Sequence, residues 1–135
     1  MQQKFMNAAL KEARKAYKKD EVPIGAIIVK DNEIISKAHN LVETKKDATM
    51  HAEIIAIKKA SKKIGNWRLN DCEMYVTLEP CLMCQKAIEL SRIKTVYFST
   101  YRKNDDNKLT SYEKYDYYET HTTKIIQDFF NNKRR

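Results

Sequence analysis

Two short segments constrain this chain more than anything else in it: His51-Ala52-Glu53, and the cysteines of Pro80-Cys81-Leu82-Met83-Cys84. Cysteines three apart at a helix start share one face near the positive end of the backbone dipole, where thiolates are favoured. His51 and Glu53, two apart, would point to nearly opposite sides of a regular helix, so they can serve one site only beyond a helix N-terminus. Asp47-Ala48-Thr49 ahead of them looks like a capping stretch that places a helix start there. The fold must therefore bring two helix starts together. Parallel strand-helix units do this at the carboxyl ends of strands, where open α/β sheets bind ligands.

Two thiolates and an imidazole are the donor set that suits Zn²⁺, and with His51, Cys81 and Cys84 the ligand count stops at three. Structural zinc is normally closed by four protein ligands, whereas a hydrolytic centre keeps a position for water. Zinc lowers the pKa of that water, and Glu53, not needed as a ligand, is placed to take its proton. Neutral His51 is expected to bind through one ring nitrogen. A non-catalytic zinc knuckle is the competing reading, weakened by the missing fourth ligand and by Glu53. Cys72 begins a strand expected over residues 73–79, whereas Cys81 lies beyond its end, roughly 20 Å away at strand rise. It is expected to be a small core or surface thiol.

Met6, Ala9, Leu10, Ala13 and Tyr17 recur at helical spacing and predict an amphipathic helix over 3–19. Pro23 and Gly25 end that pattern. Strands over 26–29 and 34–39, turning at Asp31-Asn32, form an expected hairpin. A helix over 50–64 stopped by Gly65, a strand over 74–78, a helix over 81–91 and a strand over 93–98 complete the pattern. That order implies parallel pairing with right-handed crossovers.

At 135 residues the chain is expected to form a single domain spanning 1–135, and such a length buries about two-thirds of its unfolded surface without staples. Three cysteines, an odd number that includes a C-x-x-C, argue against a secreted disulfide framework and for a reducing, cytoplasmic setting. The longest apolar run, Ile24 to Val29, is far short of the roughly 20 residues that span a bilayer. A net charge of +8 favours a polyanionic partner such as nucleic acid, although 20 of the 26 basic residues are lysines that would equally suit solvated faces. Lys45, Lys46, Lys58, Lys59, Lys62, Lys63 and Arg68 flank the His51 segment, and Lys133-Arg134-Arg135 ends the chain.

H-x-E paired with P-C-x-x-C is the signature of zinc nucleobase deaminases. With Val22-Pro23-Ile24-Gly25-Ala26, Asn40, Asp47-Ala48-Thr49-Met50-His51-Ala52-Glu53, Asn66-Trp67-Arg68-Leu69, Val76-Thr77-Leu78-Glu79-Pro80-Cys81-Leu82-Met83-Cys84 and Ser91-Arg92-Ile93 in order, the chain resembles bacterial tRNA-specific adenosine deaminases over residues 5–98. The resemblance implies a cytidine deaminase-like fold: a three-layer α/β/α sandwich whose mixed central sheet has an N-terminal β-hairpin followed by parallel strand-helix units. It implies a homodimer and hydrolysis of the wobble adenosine of a tRNA anticodon stem-loop to inosine. By position, His51, Cys81 and Cys84 hold zinc, one per chain, Glu53 is the general acid/base, and Asn40 contacts the target base. Spacing alone allows Asn40 to be a turn residue closing the second strand.

Beyond Phe98 the pattern frays. The family continues into a glycine-containing loop with an acidic residue near its start. Here Tyr101-Arg102-Lys103-Asn104-Asp105-Asp106 has no glycine, so 101–135 is a divergent segment. Phe129-Phe130 and the basic end look like the family's C-terminus, and Phe130 or Tyr101 could stack an extruded base. Two other functions fit the residues: a deaminase of free nucleobases or nucleosides, guanine or cytosine, and a non-catalytic zinc-containing RNA-binding protein.

Overall fold

The structure, a computed structural model, describes residues 2–102, 112–114 and 124–131. The elements run α1 Gln3–Lys18, β1 Gly25–Lys30, β2 Glu33–His39, α2 Val42–Lys45, α3 Ala52–Ile64, β3 Cys72–Leu78, α4 Leu82–Leu90, β4 Thr95–Thr100 and β5 Tyr112–Lys114, with a last helix, α5, over 124–131. Asp31 and Asn32, both with positive φ (50° and 65°), make the tight β1–β2 turn, as hairpin geometry demands. Gly65 ends α3 in the left-handed region at φ 80°.

The strands form one mixed sheet in the order β2-β1-β3-β4-β5. β1 is antiparallel to both β2 and β3, while β3, β4 and β5 are parallel. The expected parallel strand-helix-strand unit is found in β3-α4-β4. In β2-α3-β3 the two strands share a direction but β1 lies between them, because a hairpin partner occupies the place next to β2.

Period-two alternation divides the core. Ile27, Val29, Tyr75 and Tyr97 face α1, where Phe5, Met6, Ala9 and Leu10 cover them, with Ile125 of α5 packed alongside. Ala26, Ile28, Met74, Val76, Val96 and Phe98 face the opposite layer, which supplies Ile55, Ala56 and Ala60 of α3 and Ile88 of α4. Each large aliphatic side chain buried there contributes about 1.5–3 kcal/mol. Cys72 lies wholly inside this second cluster, so it is a core thiol. Gly25 sits directly beneath α1: a Cβ there would lie 2.0 Å from the Ala9 carbonyl oxygen, so only glycine permits this approach.

The register places function at one edge. Gly25 pairs with His39, Ala26 with Val76, and Leu78 with Thr100. The carboxyl ends of β2, β3 and β4 therefore lie together, and the segments after them carry Asn40, Cys81 and Arg102. Lys133-Arg134-Arg135 and most of the tyrosine-rich stretch 112–118 lie outside the described residues.

Candidate metal centre and substrate cleft

His51 and Cys81 occupy equivalent positions. Each is the N-cap residue of its helix, with extended backbone (φ −71°, ψ 154° and φ −71°, ψ 171°) and no side-chain capping bond. Each carbonyl instead accepts the first helical N–H, from Ile55 at 3.1 Å and from Gln85 at 2.8 Å. The side chains are thus free to leave the helix axis and meet. Asp47 does not cap α3, contrary to expectation: its Oδ1 accepts hydrogen bonds from the backbone N–H and hydroxyl of Thr49 at 2.8 and 2.7 Å. This is a local Asx turn that shapes the approach to His51.

His51 Nδ1 lies 3.4 Å from Cys84 Sγ and 3.6 Å from Cys81 Sγ. One ligand atom from each of the three residues falls within 4.8 Å of the others. The Cys81 thiol is pushed down to about 3, because its sulfur accepts hydrogen bonds from Cys84 and His51. The Cys84 thiol is pushed up, because its proton is shared with the Cys81 sulfur and burial disfavours a second charge. His51 is raised, chiefly by its hydrogen bond to Cys81. A divalent cation would displace the shared protons and neutralise two thiolates. Soft sulfur and imidazole donors fit zinc.

Glu53, in the first turn of α3, is 2% exposed, and burial raises its carboxyl pKa. Its Oε1 has no hydrogen-bond partner among the described residues. A buried carboxylate oxygen so exposed to loss needs a partner that arrives from outside, such as water or substrate.

Beside these residues opens a cleft of about 820 Å³, lined by His51, Asn40, Leu78, Lys19, Arg102 and Phe130 among others. Asn40 is 5% exposed. Its backbone N–H donates to Ile24 O, and its Oδ1 accepts from the Val42 N–H at 3.4 Å. Its side-chain NH₂ is not engaged by any described residue. Phe130 is half-exposed on the cleft wall, stacked edge-on against Phe129. Tyr101 packs instead against Phe98, at 5.2 Å between ring centroids, and is not among the lining residues.

A match to the family model of the cytidine and deoxycytidylate deaminase zinc-binding region spans residues 1–100. The tRNA-specific adenosine deaminase of Aquifex aeolicus (strain VF5) is 46% identical over 142 aligned residues, 96% of this chain and 94% of that protein. The chain belongs to the tRNA-specific adenosine deaminase family. Within that family, the match to the Bacillus subtilis (strain 168) enzyme is 50% identical and spans 60% of that protein's length. Among solved structures, one from a study of A-to-I editing by tRNA:A34 deaminases shares 35% identity with a TM-score of 0.76, over 83% of this chain and 97% of that one. The guanine deaminase of Bacillus subtilis shares 39% identity with a TM-score of 0.70, over 75% of this chain and 66% of that one.

This family member thus has the expected metal ligands together, with His51 and Asn40 lining the same cleft and Glu53 buried in the first turn of the helix that His51 caps. Arg102 and Lys19 on the cleft wall were not assigned a role by the sequence. For Arg102 the one sequence signal is the absence of glycine after Phe98, which marks a change there without saying what replaces the loop.

Proposed function

We propose that this protein hydrolyses the wobble adenosine of a tRNA anticodon to inosine and ammonia. One observation carries this reading: His51, Cys81 and Cys84 converge at two helix starts with Glu53 buried beside them and one of its oxygens without a partner among the described residues. Zinc, when bound by those three residues, supplies the Lewis acidity that makes water a nucleophile at neutral pH. Glu53 handles the protons. Its raised pKa suits it to accept one from the attacking water and deliver it to a ring nitrogen, then to protonate the amine that departs as ammonia. Asn40 presents its free NH₂ to an acceptor on the base, and Phe130 offers a ring for stacking.

The protein is also proposed to work as a homodimer. Leu82, Met83 and Leu90 stand exposed on α4, and a second copy would cover them. Light scattering should return twice the chain mass.

The likeness to a guanine deaminase favours a second reading, in which the same chemistry acts on a free base. Inosine formation on an anticodon stem-loop with wobble adenosine, run beside free guanine, cytosine and adenosine, separates the two. RNA conversion that disappears with Glu53→Ala supports the tRNA reading. Ammonia from guanine with intact RNA supports the free-base enzyme. RNA binding without turnover, unchanged by Glu53→Ala, would make the protein a zinc-containing RNA binder.

A further inference from the structure

Arg102 is the second residue of the divergent segment, and its surroundings hold it as a fixed cation. Its backbone N–H donates to Glu79 Oε1 at 3.1 Å, and its Nε donates to the Glu79 carbonyl at 3.2 Å. Glu79 is itself fully buried just past the end of β3, with its N–H bound to Thr100 O at 2.8 Å. The arginine is thereby tied to the ends of two neighbouring strands, β3 and β4. Nothing described accepts from its Nη nitrogens, and the described ion pairs all involve other residues. A guanidinium held through Nε keeps the outer part of its fork open, a shape matched to an oxyanion.

This open fork lines the same cleft as His51 and Asn40. Lys19, the cleft's other described cation, has its ammonium engaged with His39 Nε2 at 3.0 Å. A free base brings no anion to such a place. A nucleotide within a strand brings a phosphate on each side of its sugar.

We propose that Arg102 binds the phosphodiester next to the target nucleotide, so that the cleft takes a nucleotide within a strand in preference to a free base or nucleoside. The proposal rests on the reading of the site as an RNA deaminase and adds the contact that makes the strand, beyond the base, part of the substrate. Glu79 is the positioning residue: it holds the arginine and does not touch the strand.

The test is the salt dependence of binding. Zinc-loaded Glu53→Ala protein, which cannot turn the substrate over, is titrated with the wobble-adenosine stem-loop, alone and combined with Arg102→Ala or Arg102→Lys. Loss of one phosphate contact should weaken binding and flatten the slope of log affinity against log salt by about 0.7–0.9 for Arg102→Ala. Arg102→Lys should keep most of the slope, since the charge remains. Zinc stoichiometry and far-ultraviolet circular dichroism identify any variant that has misfolded. An unchanged slope in a folded Arg102→Ala protein would overturn the proposal. If the wild type neither binds nor deaminates RNA, the proposed function has failed and a second arm decides this one: guanosine and cytidine are compared with their monophosphates. A preference for the monophosphates that Arg102→Ala abolishes would keep the phosphate contact, and no preference would remove it.

Discussion

At the scale of single residues, the metal centre was legible because ligand chemistry limits which side chains can appear and how far apart. His51, Cys81 and Cys84 converge as the spacing required, and Glu53 stays off the ligand set. The cleft was legible only in part. Asn40 was suggested by position in a family pattern, while spacing alone left it a turn residue. In the structure Oδ1 takes the Val42 N–H of the turn, as the turn reading expects, and the side chain also lines the cleft, where contact with a base is a proposal. Replacing it separates the two uses. Asn40→Ala should lower kcat/KM on the stem-loop by about 10–100-fold, equivalent to a hydrogen bond of roughly 1.4–2.8 kcal/mol, with zinc content unchanged. A fall in zinc content of the same variant would show that the residue serves the loop and not the base. Arg102 was beyond the reach of sequence because its anchor, Glu79, lies 23 residues earlier.

At the scale of elements, helices and strands followed their periodicities closely, and the misses were short-range features governed by long-range contacts. The four-residue α2 has too few positions to show a period, and Glu21 is what organises its start. Glu21 is completely buried; its Oε1 accepts from the Glu43 N–H at 3.0 Å and its Oε2 from the Thr44 N–H at 2.6 Å. Burial alone would raise its carboxyl pKa, but hydrogen bonds from Thr44 and Glu43 outweigh this, and the net shift is downward. A carboxyl depressed in the folded state adds stability above its unfolded pKa of about 4.3 and loses it as pH falls through the folded value. Glu21→Gln keeps one acceptor and should cost about 1–3 kcal/mol in urea denaturation near neutral pH. The gap between wild type and variant should narrow as the pH drops below about 4.3. A gap that stays constant into acid would mean that the carboxylate charge is not what holds α2. β4 also began two residues later than its apolar pattern suggested, because Arg92, at φ 67°, turns the chain before the strand can start.

At the scale of the molecule, the three-layer arrangement matched expectation, because alternation along β1, β3 and β4 demands a helical cover on both faces. No described helix is long and apolar enough to cross a membrane. The place of β1 between β2 and β3 was not readable, since a hairpin can flank a parallel pair on either side. Metal removal tests how far the centre belongs to the whole. Chelation should lower the thermal midpoint, and each tenfold rise in free zinc above its Kd should add about 1.4 kcal/mol to stability. A midpoint insensitive to zinc would mean that the three ligands bind no metal in the folded protein. The histidine and cysteine halves of the centre follow strands β2 and β3, which β1 separates within the sheet, while α3 and α4 pack in one core cluster against it. A slip of β1 by two residues against either neighbour would preserve every inward-facing side chain yet carry the halves apart by about 6.6 Å. A zinc ion held by His51, Cys81 and Cys84 together would thus require β1 to be aligned with both of its neighbours, which makes three side chains at one sheet edge a readout of register along the whole sheet.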